Sequence, residues 1–454
     1  MAAPRTTPRA APRTASRTAA GAGARTLARP GTPPRPPARP PLGARVLALG
    51  DAALGGPLPG RLARWDTPAA TYYVLQGSVV LLVALGLVMV LSSSSVESLA
   101  DSGSPFAVGV GQAQFAVVGL AAMALAARVP VPAWRRLAPL LVLVAVALQA
   151  VVFSPLGVNV DGNRNWFRVA GVSAQPSEFG KLALALWCAA VLAGKQKVLD
   201  RPARWVLPLA VGAVPLVGLV LLGRDLGTTL VLLVIAAAAC FVAGVPLRLL
   251  AVAAGAGAAL VAAFVVTSSY RMGRVAEFLS SDVDAQGLGY QSQHGLWALA
   301  SGGWTGLGLG GSRQKWEWLP AAQNDFIFAI IGEELGLLGA ATVLFLFVVL
   351  AWACARVVRR SRNLFAKVAV GAVMAWVLGQ AALNIAVVLG LFPVIGVPLP
   401  LISAGGSALV ATLAGLGVVQ ACARDVPGAR RALAARPGLV RRSLAVVPLP
   451  RGVR

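Results

Sequence analysis

Residues 319–336 read LPAAQNDFIFAIIGEELG. Leu319-Pro320 closes a polar segment, Asp325 stands directly against the apolar run Phe326 to Ile331, and Glu333 and Glu334 follow within the same run. That run continues to about residue 350, which is long enough to cross a bilayer. A carboxylate at the centre of a membrane helix costs roughly 2.5–3.5 kcal/mol, so acids at or inside such an edge are functional candidates by default. The chain has only 16 acidic residues, and three of them fall between positions 325 and 334.

Outside this stretch the composition is equally apolar. The 454 residues are 57% hydrophobic and 12% charged, with mean hydropathy +0.76. A soluble domain carries about twice that share of charge, so a membrane protein is expected. Apolar runs of about 20 residues without alternation predict helices and make strands an unfavourable reading. Ten spans are expected, at roughly 72–92, 106–127, 137–154, 179–194, 205–222, 227–245, 248–267, 326–350, 366–390 and 404–423. Lys and Arg gather in alternate loops: Arg128, Arg135 and Arg136; Lys195, Lys197, Arg201 and Arg204; Arg248; then Arg356, Arg359, Arg360, Arg362 and Lys367. The positive-inside rule places those loops in the cytoplasm. The expected fold is an all-α polytopic membrane protein with about ten transmembrane helices, both termini cytoplasmic, and a large outer loop between spans seven and eight. Residues 1–68, rich in Arg, Pro and Ala, read as a disordered basic cytoplasmic tail. Residues 69–425 form the ten-span domain, and 426–454 a second basic tail. The net charge of +24 sits mostly in the tails and short loops, which favours anionic lipid over nucleic acid as a partner. Cys188, Cys240, Cys354 and Cys422 share no metal or disulfide spacing and read as small core hydrophobes.

Two outer segments, about 154–178 and 268–325, exceed ordinary loop length and are expected to be ordered and functional. Asp325 opens span eight, where a carboxylate also suits a helix cap. Glu333 and Glu334 have a structural reading as partners of a cation on another span. In GNRNWFRVAGVSAQPSEFGK (162–181), Trp166 suits the headgroup level and Pro176 marks a turn, with Ser177 as cap of the next helix. Glu178 and Lys181 share one helix face. They either pair with each other, or Lys181 offers a cation to a phosphate with help from Arg164 and Arg168. Arg224-Asp225-Leu226-Gly227-Thr228-Thr229 sets an ion pair and two hydroxyls between spans. The second long segment carries Arg271, Arg274, Gln291 and a glycine-rich run at 302–312, which permits close backbone approach to a ligand or else forms a flexible loop. No strand precedes those glycines, which excludes a nucleotide fingerprint. His294 is the only histidine, so no His-based triad or His-rich metal site exists, and it reads as a plain loop residue. FPVIGVPLPLISAGGSAL (392–409) breaks the helix before span ten, and non-helical backbone at membrane depth normally lines a cavity.

Taken together, NDFIFAIIGEELG, QPSEFGKLAL, RDLGTT, GYQSQ with SGGWTGLGLGGSRQK, and PLPLISAGGSAL resemble, in order and spacing, the SEDS family, the FtsW, RodA and SpoVE group of bacterial cell-wall polymerases. The resemblance covers about residues 70–425. FAIIGEELG and the long tail are more similar to the division branch, FtsW, than to the elongation branch, and the Arg-, Ala- and Pro-rich usage is similar to that of actinobacteria. The chain departs from the family pattern at Ala321 and Gln323, at Asn165 and at Ala404. The resemblance implies a peptidoglycan glycosyltransferase that polymerises lipid II at the outer face of the plasma membrane, at the division site, with Asp325 as the catalytic carboxylate. The expected substrate-binding set is Arg164, Trp166, Glu178, Lys181, Asp225, Arg271, Arg274, Gln291 and Ser407. No protein metal site is expected, although a divalent cation (Mg or Mn) can assist a departing diphosphate. The implied partners are lipid II, a class B penicillin-binding transpeptidase and divisome proteins. Two readings of other classes use the same residues: a lipid II flippase without bond chemistry, and a scaffold that activates a transpeptidase.

Overall fold

The computed structural model describes residues 67–435, apart from 161–162, 170–171, 281–286, 288 and 317. The tails expected over most of 1–68 and 426–454 therefore lie outside the described residues. Nine described helices are long and apolar enough to cross a membrane. They are α1 (Pro68–Ser102), α2 (Ala107–Arg128), α3 (Val131–Val151), α4 (Pro176–Gly194), α6 (Leu226–Ala243), α7 (Leu247–Val266), α10 (Ile327–Arg360), α11 (Leu364–Val388) and α12 (Gly406–Asp425). A tenth, α5 (Val206–Leu222), is apolar but has 17 residues, about 26 Å of helix. The ten expected runs thus all form helices, in one polytopic all-α bundle. Two further helices, α8 (Ser269–Leu279) and α9 (Tyr290–Gly302), belong to the segment before α10, and α13 (Ala429–Ala434) follows α12.

Helix ends follow local chemistry. Thr67 caps α1 by accepting from the Ala70 N–H at 3.1 Å, Pro68 takes the first helical position, and Gly103 (φ 68°) closes the helix in the left-handed conformation. The Asp225 carboxylate caps α6 through the Thr228 N–H at 2.8 Å. Ser177 is not a cap: Gln175 precedes the first turn of α4, and the Ser177 hydroxyl is buried without a partner. α4 packs on α3, α5, α6, α11 and α12 and forms the centre of the bundle, whereas α7 has no buried residue and leans on α6. Pro68 and Thr71 meet Arg356, Arg360, Ala423 and Val426 around one small cavity, so the first and last spans end on the same face, as an even number of crossings requires.

The expectation against strands needs correction. Gly157–Val160 (β1), Asn163–Val169 (β2) and Val172–Ala174 (β3) form an antiparallel sheet in order β1-β2-β3. Such a short meander never enters an apolar run, so span hydropathy carries no trace of it. Asn165 ties the sheet to the α5–α6 turn. Its buried side chain accepts from Gln149 Nε2 at 3.1 Å and donates to the Gly223 carbonyl at 2.8 Å.

The α10 helix is broken at Gly336 (φ 66°, ψ −165°). About 30 Å of helix separates Gly336 from Arg356, enough by itself to cross a bilayer, and the half-helix Ile327–Leu335 precedes the break. The glycine-rich run satisfies the backbone groups freed there. Leu307 and Gly308 donate to the carbonyls of Glu333 and Glu334 at 2.9 and 3.0 Å, and Leu337 donates to Gly303 at 2.9 Å. Gly302 and Gly306 therefore lie directly against the backbone of α10, and the run acts as a brace. A Cβ on Gly306 (φ 82°) would stand 2.1 Å from the Glu334 carbonyl oxygen. Gly306→Ala is expected to cost about 1–3 kcal/mol. A lowered midpoint in thermal unfolding of solubilised protein would show this, while Gly218→Ala, whose Cβ meets nothing within 4 Å, leaves the midpoint in place.

Candidate active site

At the end of the bundle away from Arg356 and Arg360, the non-helical segment 389–405 passes between the starts of α4, α6 and α10. Polar side chains from several helices hold it there. Gln112 on α2 donates to the Ser403 carbonyl and accepts from the Gly405 N–H, each at 3.1 Å. Gln380 on α11 donates to the Pro398 carbonyl at 2.9 Å, and Asn384, one turn on, donates to the Val397 carbonyl at 2.8 Å. In the first turn of α6, a Cβ on Gly227 would lie 2.6 Å from the Ile395 carbonyl oxygen, so only glycine permits this approach.

Asp325 sits against this segment. It does not cap α10: Phe326 occupies the cap position and makes no side-chain cap bond. Its position is set through the main chain. Asn384 Nδ2 donates to the Asp325 carbonyl at 2.7 Å, Ser403 Oγ to the Asn324 carbonyl at 2.6 Å, and the Ala404 N–H to the Gln323 carbonyl at 2.9 Å. Gln323 reaches the Glu97 carboxylate on α1 at 2.7 Å, and Gln291 on α9 donates to the Pro320 carbonyl at 3.0 Å. The Asp325 carboxylate is half-buried and faces Gly396 (φ 67°), where an added Cβ would lie 3.5 Å from Oδ2. Burial pushes its carboxyl up to about 6; the positive Arg274 opposes that shift and the negative Asp225 adds to it. Arg274 on α8 reaches over to the same segment and donates to the Val394 carbonyl at 2.9 Å.

The other expected residues divide into two groups. Asp225, Arg274 and Ser407 gather around segment 389–405, while Gln291 holds Pro320 before Asp325. Asp225 accepts from Gln175 Nε2 at 3.0 Å, and Ser407 Oγ accepts from the Gln175 N–H at 3.4 Å. Burial pushes the Asp225 carboxyl up, while Thr228 and Lys181 pull it down. The expected Arg224–Asp225 ion pair is not among the salt bridges of the described residues, because the carboxylate turns to Gln175 and to its own helix. Lys181 and Glu178 follow the pairing reading. They meet at 2.8 Å with side chains 1% and 2% exposed, and Lys181 also bonds Gln380 Oε1 at 2.9 Å. Lys181 thus acts through Gln380 on Pro398, and its charge is felt at Asp225.

Three expected residues are engaged away from Asp325. Arg164 lies exposed on β2 and donates to the Ser154 carbonyl at 3.1 Å. Trp166 pairs with Val158 in the same sheet. Arg271 turns back to α7, donating to the Phe264 carbonyl at 2.9 Å with its guanidinium 3.9 Å from the ring centre of Phe264. His294 is buried on α9, bonded to Gln314 at 2.6 Å and stacked among Tyr290, Trp297 and Trp318, not a plain loop residue. Asn384 and Gln380 were missed. Their signal was present, as two amides one turn apart inside an apolar span.

No group of three or more His, Cys, Asp or Glu side chains converges among the described residues. Asp325 and Asp225, which sense one another electrostatically, are too few for a closed protein cage. They fit a magnesium-type ion only if substrate phosphate oxygens complete the shell.

Comparison with known proteins agrees with this arrangement. The family model described as "Cell cycle protein", covering FtsW, RodA and SpoVE, matches residues 73–426. A probable peptidoglycan glycosyltransferase FtsW of Mycobacterium tuberculosis is 39% identical over 393 residues, spanning 86% of this chain and 75% of that one. Stage V sporulation protein E of Bacillus subtilis is 36% identical, over 75% of this chain and 93% of that one. Among solved structures, a chain of a peptidoglycan synthase complex that coordinates polymerization and crosslinking aligns with TM-score 0.65 and 31% identity, covering 78% of this chain and 97% of that one. The rod shape determining protein RodA of Thermus thermophilus aligns with TM-score 0.58 and 28% identity over 78% and 96%. With the match running from the second turn of α1 to the end of α12, the chain belongs to the FtsW, RodA and SpoVE family of cell cycle proteins.

Proposed function

We propose that this protein is a peptidoglycan glycosyltransferase that polymerises lipid II into glycan strands during cell division. The observation that carries this reading is the Asp325 carboxylate, half-buried, fixed through its own main chain and lying in the field of Arg274. Asp325 takes the proton from the 4-hydroxyl of the acceptor sugar. The freed oxygen attacks the anomeric carbon of the lipid-linked donor, the bond to the diphosphate breaks, and the configuration inverts. A positioned base typically contributes about 10²- to 10⁴-fold, most efficiently when its pKa lies near the working pH. Arg274 stabilises the charge of the leaving diphosphate. Arg164, Arg271 and Lys181, expected to share that task, have hydrogen-bond partners elsewhere. A divalent ion, held by the two carboxylates and the substrate, would add to the same charge stabilisation when bound.

The Asp325 end of the bundle faces outward if the Lys- and Arg-rich end faces the cytoplasm. That orientation places the transfer at the outer face of the plasma membrane, both tails inside, and the prenyl chains of the substrate between spans. The similar chain drawn from a complex that coordinates polymerization and crosslinking supports a class B penicillin-binding transpeptidase as partner. Divisome proteins and anionic lipid at the basic tails complete the proposed set.

Purified protein in vesicles with labelled lipid II tests this reading. Polymer is the expected product. Lipid movement without polymer identifies a flippase instead, and partner activation that survives loss of the Asp325 carboxylate identifies a scaffold. The pH profile adds a second check. The base works when ionised, so the rate falls as pH drops through about 6, by about tenfold between pH 7 and pH 5. A flat profile over that range removes Asp325 as the base.

A further inference from the structure

Glu333 and Glu334 take no part in the proton transfer described above, yet they are the most heavily bonded acids in the described chain. Their exposures are 1% and 0%. Glu333 accepts from the Arg313 N–H at 3.0 Å, from Ser301 Oγ at 3.4 Å and from the Ser312 hydroxyl. Glu334 accepts from Ser92 Oγ on α1 at 2.6 Å, and its second oxygen lies 3.4 Å from both Lys315 Nζ and the Ser312 N–H. Lys315 is itself buried and also bonds the Gly310 carbonyl at 2.8 Å. The cation therefore comes from the loop just after the glycine-rich brace, where another span was expected to supply it.

Two buried acids inside a helix can be nothing more than fold anchors. Their place on the half-helix argues for more. They occupy its last turn, immediately before the Gly336 break, and Asp325 precedes its first turn. About 12 Å of helix separates Asp325 from Glu333. A swing of ~10° at the break, about 16 Å of helix away, would move the Asp325 carboxylate by ~3 Å, and a misplacement of about 1 Å can cost about 10²-fold in rate. Continuous helix bonds cannot resist that swing across Gly336, whereas the bonds to Ser92, Ser312 and Lys315 can.

We propose that Glu333 and Glu334 are positioning residues for the reaction at Asp325, locking the half-helix to α1 and to the glycine-rich brace. The proposal rests on the glycosyltransferase reading, and the test separates the two. Glu334→Gln keeps the shape but leaves Lys315 without its counter-charge. In lipid nanodiscs with lipid II, E334Q is expected to lower kcat by about 10- to 100-fold. KM should stay within about twofold, and the acid limb of the pH profile should stay near 6. Glu334→Asp should recover part of the loss, and the E334Q/K315M pair should lose less than the product of its single variants. Ser92→Ala, which keeps Lys315 paired, should give a loss of a few fold if E334Q fails to fold. Amide exchange at Leu307 and Gly308 should accelerate in E334Q and not in Asp325→Asn. A wild-type kcat in E334Q, or an acid limb that moves with the loss, overturns the positioning role. If the wild type makes no polymer, the glycosyltransferase reading falls, and unchanged exchange at Leu307 and Gly308 would then overturn the lock on its own evidence.

Discussion

Asp325→Asn is expected to lower polymerisation of lipid II by about 10²- to 10⁴-fold while leaving a folded, monodisperse protein. The separation of activity from folding follows from how the residue is held. Asn384, Ser403 and Ala404 bond the main chain of residues 323–325, so none of these contacts depends on the carboxylate. Asparagine keeps the volume and loses only the capacity to accept a proton. The stability effect has a definite sign. Burial raises the folded-state pKa from 3.8 to about 6, so the folded state binds the proton more tightly than the unfolded one. The stabilisation that this contributes is fully present below 3.8 and is lost as pH rises through about 6. Asp325→Asn should therefore be at least as stable as wild type at pH 8, and lose that relative advantage at pH 4. Stability purchased against activity in this way is common at active sites. Polymerisation at the wild-type rate by Asp325→Asn would end the assignment.

Lys181→Met is expected to be the most destabilising single change. The Lys181–Glu178 pair lies at the centre of the bundle, and removing one member of a buried pair costs about 3–5 kcal/mol because the other charge remains uncompensated. Glu178 has no second resource, since its Oε2 already lacks a partner. The damage also reaches the site. Gln380 Oε1 receives Lys181 at 2.9 Å and Trp376 Nε1 at 3.1 Å, and its amide holds Pro398. Loss of the ammonium loosens the segment that Asp325 faces. Folded yield after solubilisation and the thermal midpoint measure the first effect. A double variant, Lys181→Met with Glu178→Gln, removes both charges and should recover most of the yield. A wild-type midpoint in the single variant would show that the pair contributes nothing.

Hydrophobic length is a local property. Each span must bury its own backbone bonds across about 30 Å of hydrocarbon, so every span is written in its own 17 to 25 residues. For that reason the sequence alone determined the all-α membrane class, the ten helices, and Asp325 at the rim of span eight. It also left visible the broken backbone at 392–409, since three prolines and paired glycines cannot continue a helix. Partnership across the bundle has no such local signature. Only the tertiary structure decided that Lys181 is spent on Glu178 and Gln380, that Arg271 turns away while Arg274 reaches the site, and that the glycine-rich run braces a break in α10. Two of those outcomes join groups 199 and 120 positions apart, Lys181 with Gln380 and Arg274 with Val394. A charge or amide in a membrane span must find a partner, but the sequence names the need without naming the partner, because packing of several helices sets which groups come within bonding distance.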